Sequence, residues 1–224
     1  MHDIDAERAR QLIATFSRPR MARYLALADG DPAYAVRLYD WNARIAGELF
    51  HLLHIWEVAL RNRVAGVFSD IYGADWAFSG RFDRDLKSRH RAILRSVISR
   101  TGRTDAAGRP TRSHNVVVEL TAGIWVAFLR EEYEVPFRWR FNLKRVFAHA
   151  PERQFADLRA ACERLVELRN RLAHHEPVYA QLPLVLEQRI ETVIKASCPA
   201  ALTCARSASG LAALVDEGPP LNPP

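Results

Sequence analysis

Cysteine is scarce in this chain and does not pair by pattern. Cys162, Cys198 and Cys204 are three among 224 residues, an odd number with no CxxC pair. That argues against a disulfide framework or a zinc site and suits a reducing compartment. No stretch approaches the roughly 18 uninterrupted apolar residues of a membrane span. The first residues, Met1-His2-Asp3-Ile4-Asp5-Ala6-Glu7, lack the basic start and apolar run of a signal peptide. A soluble cytoplasmic protein with no membrane partner is the expectation. No alternation of apolar residues reads as a sheet strand, and no carboxylate cluster stands ready for a metal, so no metal or other cofactor is expected.

What the chain does have is helical periodicity. Apolar residues are 49% and charged residues 26%, the balance of a globular protein. Short helices are expected over 6–16 and 19–28, the second with Ser17 as cap and Pro19 in its first turn. Asp29-Gly30-Asp31-Pro32 is a turn leading into a helix cap. From there Leu38, Trp41, Ile45, Leu49, Leu52, Leu53, Trp56, Leu60, Val64, Val67 and Phe68 recur at steps of three and four. They predict one long spine helix to about Ile71. Further helices are expected over 83–101, with Arg84, Lys87, Arg91 and Arg95 along one face, and over 115–133, capped by Ser113. Others are expected over 138–149, from 151 to the motif below, and over 184–197. Residues 102–113 read as a flexible loop, 207–214 as a turn or two, and 218–224 as a loose tail. The fold class is all-α: an N-terminal helical segment (1–30), one helical bundle domain (31–197) built on the spine, and a C-terminal segment (198–224).

Lys and Arg number 32 against 26 Asp and Glu, a net charge of +6, with clusters at 89–95, 100–112 and 138–145. Such a balance suits a polyanionic partner such as nucleic acid, and equally a basic surface kept for solubility.

The chemistry gathers in Glu167-Leu168-Arg169-Asn170-Arg171-Leu172-Ala173-His174-His175-Glu176-Pro177, where a long helical pattern ends. Histidine exchanges protons near neutrality and arginine's planar fork suits phosphate. On a helix, Asn170 and His174 share a face, and Arg171 lies three and four before the two histidines. Arg169 lies five before His174, roughly 140° round the helix. That pair converges only if the helix loosens before Pro177 or if two copies meet. RNA carries its own nucleophile, the 2′-hydroxyl, which a histidine can deprotonate while an arginine stabilises the charge building on phosphorus. The competing explanation is a charged helix end in which Glu176 pairs with either arginine.

A weaker echo, Leu60-Arg61-Asn62-Arg63-Val64, lies on the spine without the histidine. There Glu57, four residues before Arg61, suffices as an ion-pair explanation. His51 and His54 read as ordinary partly buried histidines. Trp41, Trp56 and Trp125 fall on apolar stripes and read as core. Trp139, among Arg138, Arg140, Lys144 and Arg145, is the tryptophan expected to contact RNA.

Arg169-Asn170-Arg171-Leu172-Ala173-His174 resembles the arginine–(four to six residues)–histidine signature of HEPN domains, helical ribonucleases of prokaryotic defence. With His174-His175-Glu176-Pro177 it resembles more specifically the Abi-like abortive-infection proteins. Residues 41–50, Glu57-Val58-Ala59-Leu60-Arg61-Asn62 and Glu119-Leu120-Thr121-Ala122-Gly123-Ile124-Trp125 add to this, with Ala122 standing where that family usually has Phe. The resemblance spans about 17–192. It implies a metal-independent endoribonuclease acting as a toxin or defence effector on RNA. One complete signature per chain further implies a homodimer with a composite site, and an RNA or protein antitoxin as a possible partner. Arg169 and His174 are the implied catalytic residues, with Asn170 positioning them. His175, Arg171, Arg61 and Asn62 are candidates for RNA contact or support. The alternatives are an RNA-binding or scaffold protein of a defence or toxin–antitoxin system that does not cleave, and an interaction protein whose motif is an interface cap.

Overall fold

A computed structural model describes residues 4–101 and 112–218. Most of the expected loop 102–113 and nearly all of the tail 218–224 lie outside the described residues. Within them the fold is all-α: twelve α-helices and four short 3-10 turns, with no strand. No described helix is long and apolar enough to cross a membrane.

The first helices follow the sequence pattern closely. Helix α1 (Ala6–Phe16) is capped by the Asp5 side chain, which accepts from Arg8 N. Helix α2 (Arg18–Leu27) starts behind Ser17, whose side chain makes no capping bond. The spine, α3 (Pro32–Tyr72), runs 41 residues. Asp31 Oδ1 starts it by accepting from the N–H groups of Ala33 and Tyr34 at 2.8 and 3.2 Å, with Pro32 in the first position.

Two expected helices are each broken in two. The stretch 83–101 is α4 (Gly80–Asp85) and α5 (Ser88–Thr101), interrupted by extended backbone at Leu86. Arg91 reaches back across this break and donates to the carbonyls of Asp83, Arg84 and Leu86 at 2.7–3.1 Å. Arg95 pairs with the Asp83 carboxylate at 2.8 Å. Half of the expected cationic face is therefore spent on closing a helix end. The stretch 115–133 is α6 (Ser113–Glu119) and α7 (Ala122–Ala127), separated by extended Leu120 and Thr121. Ser113 caps no helix; its Oγ accepts from Ala77 N at 3.0 Å. Then follow α8 (Trp139–Val146), α9 (Phe155–Ala173), α10 (Pro183–Ser197), α11 (Pro199–Ser207) and α12 (Leu211–Asp216). The chain after 198 is thus more helical than its sequence pattern foretold.

The contacts divide into two compact units. The first gathers the chain up to Leu52, Arg169–Arg189 and the chain from Ala205. The segment expected to stand apart as 1–30 belongs to it. Its core holds Ile13, Met21, Tyr24, Ala28, Val36 and Leu38, with Phe16 stacked on Tyr39 at 4.9 Å. Trp41 donates to the Leu214 carbonyl at 3.0 Å, and Gly210 N donates to the Glu48 carboxylate at 2.7 Å, which ties down α12.

The second unit, Leu53–Leu168 with Ile190–Cys204, is built round an aromatic cluster. Phe68, Trp76, Phe82, Trp125, Phe128, Tyr133 and Phe137 are all buried, and Tyr133 stacks flat on Phe137 at 4.7 Å. Burial pushes the pKa of the Cys162 thiol up to about 12. His90 sits at the edge of this cluster. Its Nε2 accepts from Arg89 at 3.1 Å, so its Nδ1–H faces the Tyr133 hydroxyl at 2.6 Å. Burial and the neighbouring Arg89 lower its pKa below the ordinary 6.5.

Two outcomes follow. Trp125→Ala is expected to cost about 3–5 kcal/mol, read from the urea unfolding midpoint. Because the unfolded chain takes up the His90 proton before the folded one does, stability should be flat above about 6.5 and fall as pH drops below it. The thermal midpoint should be lower at about pH 5.5 than at about pH 7.5. His90→Gln should shrink that difference.

Candidate functional site

The motif that ends α9 closes in a defined way. The α-helical bond pattern continues to His174, whose N–H donates to Asn170 O at 3.0 Å. His175 N then donates to Leu172 O, and Glu176 N donates to Arg171 O, both at 2.9 Å. This pair of bonds is the Schellman closure, which requires one residue in the left-handed region. His175 fills that place with φ 56. Glycine would adopt it without strain; a histidine there costs energy that the surrounding contacts must offset. Pro177 follows the closure and does not create it.

A contact distant in sequence secures the end. The Arg20 guanidinium donates to the carbonyls of His174 and His175 at 3.1 and 2.8 Å. It satisfies terminal acceptors that have no helical partner and places a cation where the helix dipole is negative. Beyond the turn, the buried Asn42 side chain accepts from the N–H groups of Val178 and Tyr179 at 2.8 and 3.2 Å. The chain is therefore held on both sides of the histidine pair.

The motif's side chains separate into two kinds. Arg171 is engaged within the fold: its Nε donates to Glu176 at 3.1 Å, and the Gln181 carboxamide oxygen, turned to face it, accepts at 2.9 and 2.6 Å. Of the two arginines open to Glu176, Arg171 takes it. His174 and His175 are exposed, as is Asn170, while Arg169 is half-buried with its Nη1 at 3.5 Å from Asn170 Oδ1. Helical bonding persists through His174, so the five-residue offset from Arg169 keeps those two side chains on different sides of the helix end. The loosening that would have brought them together in one chain does not occur.

All five motif residues, Arg169, Asn170, Arg171, His174 and His175, belong to the first unit. Arg61 and Asn62 belong to the second. Arg61 is half-buried and its Nε is buried without a hydrogen-bond partner. Asn62 is exposed and lines a cleft of about 690 Å³ with Gly66, Ser69, Asp75, Arg112 and His114. His54 is exposed, not partly buried, and His51 carries a buried Nε2 with no partner. Trp56 and Trp125 are core as expected, and Trp41 is half-buried.

Trp139 corrects the expected RNA contact. It is fully buried, and its indole donates to Phe128 O at 2.8 Å. Two residues on, Phe141 is 64% exposed, with the Arg140 guanidinium 5.8 Å from its ring centroid. The aromatic beside the cations is therefore Phe141. Among the described residues no group of three or more His, Cys, Asp and Glu is placed to hold a metal ion.

Arg20→Ala should free the two terminal carbonyls, lowering stability by about 1 kcal/mol. It should also raise amide hydrogen exchange at His175 and Glu176 above that of the unaltered chain. Comparison with protein families, with curated proteins and with solved structures finds no match to this chain.

Proposed function

We propose that the chain is a metal-independent endoribonuclease of the HEPN kind, acting in the cytoplasm as an Abi-like defence effector or toxin. The observation that carries this reading is the exposed His174, held on a helix end that Arg20 and the Schellman closure immobilise, one turn beyond Asn170 and Arg169. A solvent-accessible imidazole on an anchored backbone, completed by a guanidinium from a second copy, is what transesterification of RNA needs. His174 takes the proton from a ribose 2′-hydroxyl. The oxygen attacks phosphorus, the bond to the 5′-oxygen breaks, and that oxygen leaves with a proton. The products are a cyclic phosphate and a free 5′-hydroxyl. Arg169 stabilises the charge on the phosphoryl oxygens.

Since the two side chains lie on different sides of one helix end, the reading includes a homodimer in which each copy supplies half of the group. An RNA or a protein antitoxin would restrain it by covering this end. Arg171 serves this reading as a brace for the turn, through Glu176 and Gln181.

A second reading, an RNA-binding or scaffold protein that does not cleave, is favoured by one different observation. Phe141 is exposed beside Arg140, with Arg138 and Lys144 close in sequence, and aromatic rings flanked by cations hold single strands.

Purified protein, His174→Ala and Arg169→Ala should be compared on total RNA in the presence of EDTA. Each substitution is expected to reduce cleavage by about a hundredfold or more. Equal cleavage by all three would overturn the catalytic reading. Salt-sensitive RNA binding without product from the unaltered protein would establish the second reading.

A further inference from the structure

Beside the motif, within the first unit, is a cleft of about 470 Å³. Its walls come from Tyr39, Ala43, Gly47 and Phe50 of α3 and from Leu172 of α9. The volume is in the range of small-molecule sites, roughly 300–1,000 Å³. Two aromatic residues flank a floor of small residues, and a Cβ added at Gly47 would meet nothing within 4 Å. The floor is open there.

The cleft's polar groups are few and specific. Asn42 lines it and is only 5% exposed. The Asn42 Oδ1 is occupied by the N–H groups of Val178 and Tyr179, which also settles which way the carboxamide faces. The group left over is its NH2, a pure donor with no partner among the described residues. It is not sealed from the cleft, so a ligand there can reach it and accept from it. At the rim, Glu176 gives one carboxylate oxygen to Arg171, which leaves the other free to accept. His175 lines the same cleft, and His174 is the next residue back along the chain.

We propose that this cleft is a nucleobase slot, in which a base of the RNA strand lies against the apolar floor and accepts a hydrogen bond from the Asn42 amide. The proposal rests on the ribonuclease reading of the motif. A flat aromatic ring suits the Tyr39 and Phe50 walls. A donor from Asn42 and an acceptor from Glu176 match the adjacent acceptor and donor that every base carries on its pairing edge. A peptide side chain would use the apolar floor but would leave that polar pair half satisfied. The slot would seat a base beside the scissile phosphate.

Two substitutions isolate it. Asn42→Asp keeps the oxygen that holds Val178 and Tyr179 but turns the cleft's donor into an acceptor. Gly47→Leu fills the floor from an exposed helical position with open space. Calorimetric titration of the four nucleoside 3′-monophosphates, with ribose phosphate as the control lacking a base, should show base-dependent binding to the unaltered protein. Each variant should weaken it by about tenfold or more, and Asn42→Asp should also change the order of preference. Thermal melting of both variants checks that they fold. The slot is overturned if no monophosphate binds more tightly than ribose phosphate, or if both folded variants bind as the unaltered protein does. It is also overturned if Gly47→Leu abolishes self-association instead, which would assign the cleft to a second copy. RNA cleavage measured alongside separates the two ideas. Cleavage with unaltered nucleotide affinities rejects the slot alone, whereas base-dependent binding lost in the variants with no cleavage by any protein rejects catalysis alone.

Discussion

A helix of 41 residues does not stand in water on its backbone bonds, because propensity contributes little beyond nucleation and most helical stability comes from packing an apolar face. Helix α3 stands because Ile45, Leu49, Leu52, Leu53, Trp56, Leu60, Val64, Val67 and Phe68 are each no more than 2% exposed. This burial is the constraint on which the rest depends. Its first half supplies Tyr39, Asn42 and Phe50 to the cleft beside the motif, and its second half carries Phe68 into the aromatic cluster. Residues at three- and four-residue steps cannot move independently, so the polar positions between the apolar ones are placed with the same precision.

The motif uses that precision at the end of another helix. The last carbonyls of α9 must find donors, and they find the Arg20 guanidinium and the N–H groups of His175 and Glu176. The result is a rigid end that carries two exposed imidazoles. His175 occupies the left-handed region at the turn, a conformation that glycine would adopt without strain.

Arginine is abundant here, and much of it is consumed inside the fold. Arg91 closes α4, Arg95 pairs with Asp83, Arg171 braces the turn after α9, Arg130 pairs with Glu163 and Arg159 with Glu134. A net charge of +6 therefore overstates the charge offered to a partner as a continuous surface. What remains is local, and the exposed Phe141 beside Arg140 is the clearest instance.

The all-α class, the spine, the long helix that carries the motif, and the candidates Arg169, Asn170 and His174 could be read from the chain alone. Long runs of three- and four-step periodicity without a breaker have one economical solution, and a cluster of ionisable residues at a helix end is visible as such. The breaks at Leu86 and at Leu120-Thr121 could not be read, because apolar spacing continues across them and only packing decides that the chain turns there. Whether Trp139 or Phe141 faces outward was likewise undetermined. On a short helix both lie near cations, and the aromatic cluster takes the indole, whose N–H finds the Phe128 carbonyl. The pairing of Arg171 with Gln181 and the capture of Val178 and Tyr179 by Asn42 join positions that sequence periodicity does not relate. Local spacing sets which residues share a helix face; which of them are spent on the fold and which stay exposed is decided by the donors and acceptors that tertiary structure brings within reach.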